Sequence, residues 1–165
     1  DFTNDERLVL PDGGNYIQVA SIALEEEDGA YPNPLALNFG DQVELVGFEI
    51  DRRRLAAGEA LNGILYWQAL QPLAEDYTFF VQIVAPDTTL YAQADIPGGT
   101  SAWSPSEVQA IEVPLAIDPE AEPGLYPLRI GLYRFEENNF TNLQRVTEDG
   151  RLTDDFFNLT LIRID

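Results

Sequence analysis

The chain has 165 residues, with 29 Asp and Glu against 9 Arg for a net charge of −20, and it contains no His, Cys, Met or Lys. A surface of this sign repels phosphate backbones and anionic headgroups, which argues against nucleic-acid binding and electrostatic membrane docking. The missing residue types remove disulfides, thiolate and Schiff-base catalysis, His-based triads and most zinc sites.

With 45% hydrophobic and 11% aromatic residues the chain is globular despite its charge, and long enough to bury a core without metal or disulfide help. No run reaches the length of a membrane span, so direct membrane insertion is not expected of this fragment. The start at Asp1 and the lack of Met read as a processed form or a domain of a longer protein.

Residues 1–36 read as an N-terminal arm or additional strands. Apolar patches at Leu8–Leu10 and Tyr16–Leu24 are split by the turn "PDGGN"; the second precedes the acidic run Glu25–Asp28, and "YPNP" stops any strand from continuing. Tyr16–Leu24 fits a strand or a short helix equally well. From Leu37 a sandwich domain is expected to run to Asp165. "LNFGDQVELVGFEID" predicts a strand whose Val46, Phe48 and Ile50 share one face, followed by a hairpin through "DRRRLAAGE" into Leu61–Leu70, with Trp67 at its centre. Arg52, Arg53 and Arg54, placed at that hairpin's tip, are expected to neutralise nearby acids.

Later runs alternate cleanly. Phe79, Val81 and Ile83 share a face, as do Ile111, Val113 and Leu115, and then Tyr126, Leu128, Ile130 and Leu132. A long polar connection follows, predicted to turn near Asp149 and Gly150, before a closing strand at Phe157–Ile164. Short strands closed by Gly, Pro and Asp define an all-β, antiparallel immunoglobulin- or fibronectin-like sandwich of about seven to nine strands. Trp67 and Tyr126 are its expected core hallmarks: a buried Trp on the third strand, and a Tyr near the start of the sixth whose hydroxyl bonds back to the corner backbone.

The succession "FGDQVELVGFEID", "AGEALNGILYWQAL", "DYTFFVQIVAPD", "AQADIPGGTSAW" and "EPGLYPLRIGLYRFE" resembles the sandwich domain appended to bacterial multi-pass membrane glycosyltransferases of the dolichyl-phosphate-mannose type and found in uncharacterised exported bacterial proteins. The likeness covers Leu37–Glu136. It implies a non-catalytic module outside the cytoplasm, at the cell surface or exported, in a larger protein whose transferase chemistry lies elsewhere.

Three sets of residues are candidates for chemistry. Tyr91, Gln93 and Asp95 alternate on one strand and Trp103 follows the Gly98–Gly99 turn, so rings and polar groups would offer a platform for neutral glycan; the alternative places Trp103 as a plug at the sandwich end. Asp149, Asp154 and Asp155 are the candidate Ca²⁺ ligands, with Glu25–Asp28 and Asp118, Glu120 and Glu122 as looser clusters; none has the D-x-D-x-D-G spacing, and no cofactor is otherwise implied. Paired carboxylates of a glycosidase are a distant third, because 29 acids supply such pairs by chance. The sequence therefore points to a non-enzymatic accessory module that binds glycan, with a structural domain docking a neighbouring part of its parent protein as the competing class.

Overall fold

A computed structural model describes residues 31–136 and 139–165. The readings at Leu8–Leu10, Tyr16–Leu24 and Glu25–Asp28 lie outside the described residues. In chain order the strands are β1 (Leu37–Phe39), β2 (Val43–Ile50), β3 (Arg54–Leu55), β4 (Ala60–Ala69), β5 (Thr78–Val84), β6 (Leu90–Pro97), β7 (Val108–Ala116), β8 (Gly124–Glu136), β9 (Asn139–Asn142), β10 (Arg145–Val146) and β11 (Phe157–Ile164). One sheet has the order β10-β1-β2-β4-β7; the other has β3-β11-β8-β5-β6, with β9 paired to β8.

The long strands trace the sandwich. β2 and β4 lie in the first sheet, β5 and β6 in the second, β7 back in the first, and β8 and β11 in the second, all joined to their long neighbours antiparallel. That path is an immunoglobulin-like β-sandwich. Its interior is the meeting of two inward rows: Leu45, Leu61, Trp67 and Leu115 from one sheet, and Phe79, Ile83, Leu128, Ile130 and Leu132 from the other. Trp67 joins the layers, its ring centred 5.7 Å from Phe39 and 4.8 Å from Phe79. Its Nε1 is buried without a hydrogen-bond partner among the described residues. Packing alone holds it.

Tyr126 does what its position predicts, donating its hydroxyl proton to the Glu122 carbonyl at 2.9 Å across the corner that leads into β8. The turn at Asp149–Gly150 also forms, with the Gly150 N–H on the Thr147 carbonyl at 2.8 Å.

Three expectations need correction. Trp67 lies on the second of the long strands rather than the third. A bulge between Leu45 and Gly47 breaks the alternation of β2, so Val43, Leu45 and Phe48 enter the core while Val46 stays half-buried. The Arg triplet is not a hairpin tip: the chain leaves the first sheet after β2, and Arg54–Leu55 pairs parallel with Arg163–Ile164 in the second. Leu55, 2% exposed, anchors this excursion in the core, and the Arg54 guanidinium meets the Asp165 carboxylate at the surface. Of the stretch read as an arm or as additional strands of the same core, the described residues 31–36 are tied to the sandwich. The Leu35 N–H bonds the Val46 carbonyl at 3.0 Å, the Phe48 N–H bonds the Pro32 carbonyl at 3.1 Å, and Leu35 packs on the core.

Candidate functional site

Each inward row of the six-stranded sheet has an outward counterpart. Phe80 and Gln82 alternate with the core residues of β5, Gln93 and Asp95 with Ala92 and Ala94 of β6, and Arg129, Gly131 and Tyr133 with those of β8. Register then sets them side by side: Gln93, Gln82 and Arg129 form one row across three strands, and Asp95, Phe80 and Gly131 form the next. β9 extends this face with Phe140 and Asn142, and the segment before β11 borders it with Asp155 and Phe156. Together they enclose a groove of about 420 Å³.

The floor of the groove depends on the absence of a side chain at Gly131. A Cβ there would lie 2.2 Å from Phe80 Cζ and 2.7 Å from the Asp155 carbonyl oxygen, so only glycine lets the Phe80 ring and the bordering backbone settle onto the sheet. From Phe80 a row of rings runs outward. Phe80 and Tyr133 are stacked with centroids 6.5 Å apart, Tyr133 and Phe140 meet edge to face at 5.1 Å, and Phe140 and Phe135 are tilted at 5.1 Å. The inner ring is buried, whereas Phe135 and Phe140 are 60% and 62% exposed.

Polar groups flank the rings. Gln93 Nε2 donates to Asp95 Oδ2 at 2.5 Å, and Asn142 Nδ2 donates to Asp155 Oδ2 at 2.7 Å. Burial, reinforced by the Asp95 carboxylate, pushes the Tyr133 hydroxyl pKa up, so it remains a neutral hydrogen-bonding group. The Arg129 guanidinium lies 3.9 Å from the centroid of the Phe156 ring, and its Nε is buried with no hydrogen-bond partner among the described residues. The groove thus presents ring surface, amides, two carboxylates and one cation that is unpaired among the described residues. A second cavity, of about 450 Å³, lies on the outer face of the first sheet between Glu49, Asp51, Asn62, Ile64, Glu112 and Pro114; its lining has neither a ring nor a cation.

The predicted quartet is divided. Gln93 and Asp95 line the groove, but Tyr91 and Trp103 turn away from it at opposite ends of β6. A register shift between Ile83 and Val84 leaves Tyr91 as the extra residue of a bulge, and its ring packs edge-on against Tyr126 at 5.0 Å. Trp103 stacks on Phe79 at 5.8 Å and donates its Nε1 proton to the Gly98 carbonyl at 3.1 Å. It closes the end of the sandwich.

The Ca²⁺ trio is not assembled either. The Asp149 carboxylate is occupied by Arg151, with Nε at 2.6 Å, and by the Thr147 hydroxyl; Arg151 first and Thr147 second hold its pKa below the ordinary value. Asp155 faces the groove, and the Asp154 carbonyl accepts the Arg145 N–H at 3.0 Å. At the other acidic turn, Asp118 Oδ1 accepts the Glu120 N–H at 2.8 Å, closing the turn on itself. Among the described residues no three Asp or Glu side chains converge.

Phe80, Gln82, Arg129, Tyr133 and Phe140 went unread in the sequence as site residues. Their signal was present in part, as the polar and aromatic complement of the core rows. What the pattern lacked was the pairing that sets three strands abreast and the short β9 that walls them.

No protein-family model and no curated protein sequence matches the chain. Among solved structures it is similar to the C-terminal domain of wzt, with a TM-score of 0.52 and 10% identity over 81% of each chain. Weaker likenesses are to the CARDB domain of a Pyrococcus furiosus protein in complex with di-metal ions (TM-score 0.40, 12% identity, 78% of this chain and 94% of that one) and to a Niemann-Pick type C2 protein from the Japanese carpenter ant (TM-score 0.37, 8% identity, 80% and 95%). At such identities the first likeness establishes a shared sandwich fold, and the other two add nothing to it.

Proposed function

We propose that the chain is a non-catalytic, extracytoplasmic accessory module of a larger bacterial protein, and that it binds neutral glycan in the groove on the outer face of β6-β5-β8-β9. The observation that carries this reading is the row of rings from Phe80 to Phe135 beside the amides of Gln82, Gln93 and Asn142. Sugars present apolar C–H faces to rings and hydroxyls to amides and carboxylates, and sites for them are concave with few polar groups. The net charge of −20 favours a neutral chain over a polyanionic one. The resemblance of Leu37–Glu136 to the domain appended to membrane glycosyltransferases supports the placement outside the cytoplasm and the larger parent protein.

A glycan array followed by calorimetric titration tests it. At least one neutral oligosaccharide is expected to bind, with Phe140→Ala and Gln93→Ala each weakening binding about tenfold while leaving the fold intact, since both side chains are exposed. Binding unchanged in both variants would contradict the assignment.

A second reading, a module that docks a neighbouring domain, is favoured by Leu125 and Leu161. These are 58% and 55% exposed on the outward side of the β8-β11 pair. It predicts association with the adjoining part of the parent protein that Leu161→Ser weakens.

A further inference from the structure

The groove is lined by one cation, Arg129, whose Nε is buried with no hydrogen-bond partner among the described residues. Both groove carboxylates already accept a proton from an amide, Asp95 from Gln93 and Asp155 from Asn142. Arg129 has neither an ion pair nor a hydrogen bond among the described residues, although the chain carries 29 acids. Its guanidinium instead lies over the Phe156 ring, 3.9 Å from the centroid, with Nε buried. The guanidinium lines the groove, so a ligand seated there can supply an acceptor to its terminal N–H groups.

From this geometry we infer that the glycan carries an N-acyl amino sugar, an acetamido group in the simplest case, seated over Arg129. This rests on the glycan reading above and specifies its substrate class. An acetamido group matches three features at once. Its carbonyl oxygen is a stronger acceptor than a hydroxyl and takes the guanidinium N–H. Its N–H donates to a groove carboxylate, Asp155, whose backbone lies over Gly131, the next outward residue of β8 after Arg129. Its methyl group meets the ring surface of Phe156. A plain hexose offers neither the strong acceptor nor the methyl. A uronic acid pairs well with Arg129 but brings a carboxylate up to Asp95 and Asp155 in a molecule of net charge −20.

Matched pairs of oligosaccharides differing only at this group test the inference: N-acetylglucosamine against glucose tetramers, N-acetylgalactosamine against galactose tetramers, with a galacturonate tetramer as the anionic arm. The N-acetyl member of one pair is expected to bind about tenfold or more tighter than its hydroxyl counterpart. Arg129→Gln is expected to abolish that difference; Arg129→Lys, which keeps the charge but loses the planar fork, recovers only part of it. Each variant is checked by near-UV circular dichroism and melting temperature. Equal affinity within both pairs, a difference insensitive to Arg129, or a preference for galacturonate would overturn the acetamido assignment while leaving the glycan site standing. If no sugar binds at all, the glycan reading itself falls, and this inference with it.

Discussion

Gly131 and Tyr126, on the same strand, show how single residues set the molecule's two faces. At Gly131 an added methyl would meet both the Phe80 ring and the backbone of Asp155, so Gly131→Ala is expected to cost about 1–3 kcal/mol and to shift the ring out of the floor of the groove. Thermal melting together with the ring resonances of Phe80 checks it; an unshifted melting temperature would contradict the packing described. Tyr126→Phe removes only the bond to the Glu122 carbonyl, and about 1 kcal/mol of stability should go with it. At this scale the sequence was partly legible. The corner tyrosine followed from its place after a Pro-Gly turn, and the identities of Gln93 and Asp95 followed from alternation. Tyr91 did not, because a single bulge residue reverses the side of the strand on which a side chain lies, and nothing in "LYAQADIP" announces the bulge.

Among the elements, the loop after β6 illustrates how a segment that looks functional can be structural. The Thr100 hydroxyl, fully buried, accepts the Tyr77 N–H at 2.9 Å and donates to the Glu75 carbonyl at 2.9 Å, and Asp76 Oδ1 accepts the Ser101 N–H at 2.8 Å. At Gly98 a Cβ would lie 2.4 Å from the Phe79 ring, so the chain passes there only as glycine. These bonds hold Trp103 over the end of the core. Thr100→Val leaves a buried N–H and a carbonyl unsatisfied and is expected to cost about 1–3 kcal/mol in urea melts, with Thr100→Ser recovering most of the loss. The Ser101 N–H keeps the Asp76 carboxyl below its ordinary pKa. A depressed carboxyl stabilises fully above its unfolded pKa and loses its contribution as pH falls through the folded one, so amide protection in this loop, measured against the intrinsic exchange rate at each pH, should drop only below about pH 4. A loss of protection between pH 7 and 5 would contradict it. The long strands were legible from period-two alternation. β3 and β9 were not: each is too short to carry a period, and each exists because a neighbouring strand end, Arg163–Ile164 or Tyr133–Glu136, offers backbone groups to pair.

For the whole molecule, charge outweighs every local effect. Twenty net negative charges on one chain repel one another over distances that salt screens, the Debye length being about 10 Å at 0.1 M. The melting temperature at pH 7 should therefore rise by several degrees between about 0.01 M and 0.5 M NaCl, and a fall would show that surface ion pairs such as Arg134–Glu75 outweigh the repulsion. The sandwich itself was readable because a two-layer core imposes its period on every long strand. The groove was not, because it belongs to the outer face, where no packing rule dictates residue type and only the order of strands decides which side chains become neighbours.

The most direct test of the account is a two-dimensional NMR titration of the isotope-labelled protein with the oligosaccharide that binds best on the array. Shifted amides and side-chain signals are expected to concentrate at Gln82, Gln93, Arg129, Tyr133 and Phe140 while the outer face of β2, β4 and β7 stays silent. Shifts confined to the cavity around Glu49 and Asn62, or to Trp103 and Tyr91, would contradict it.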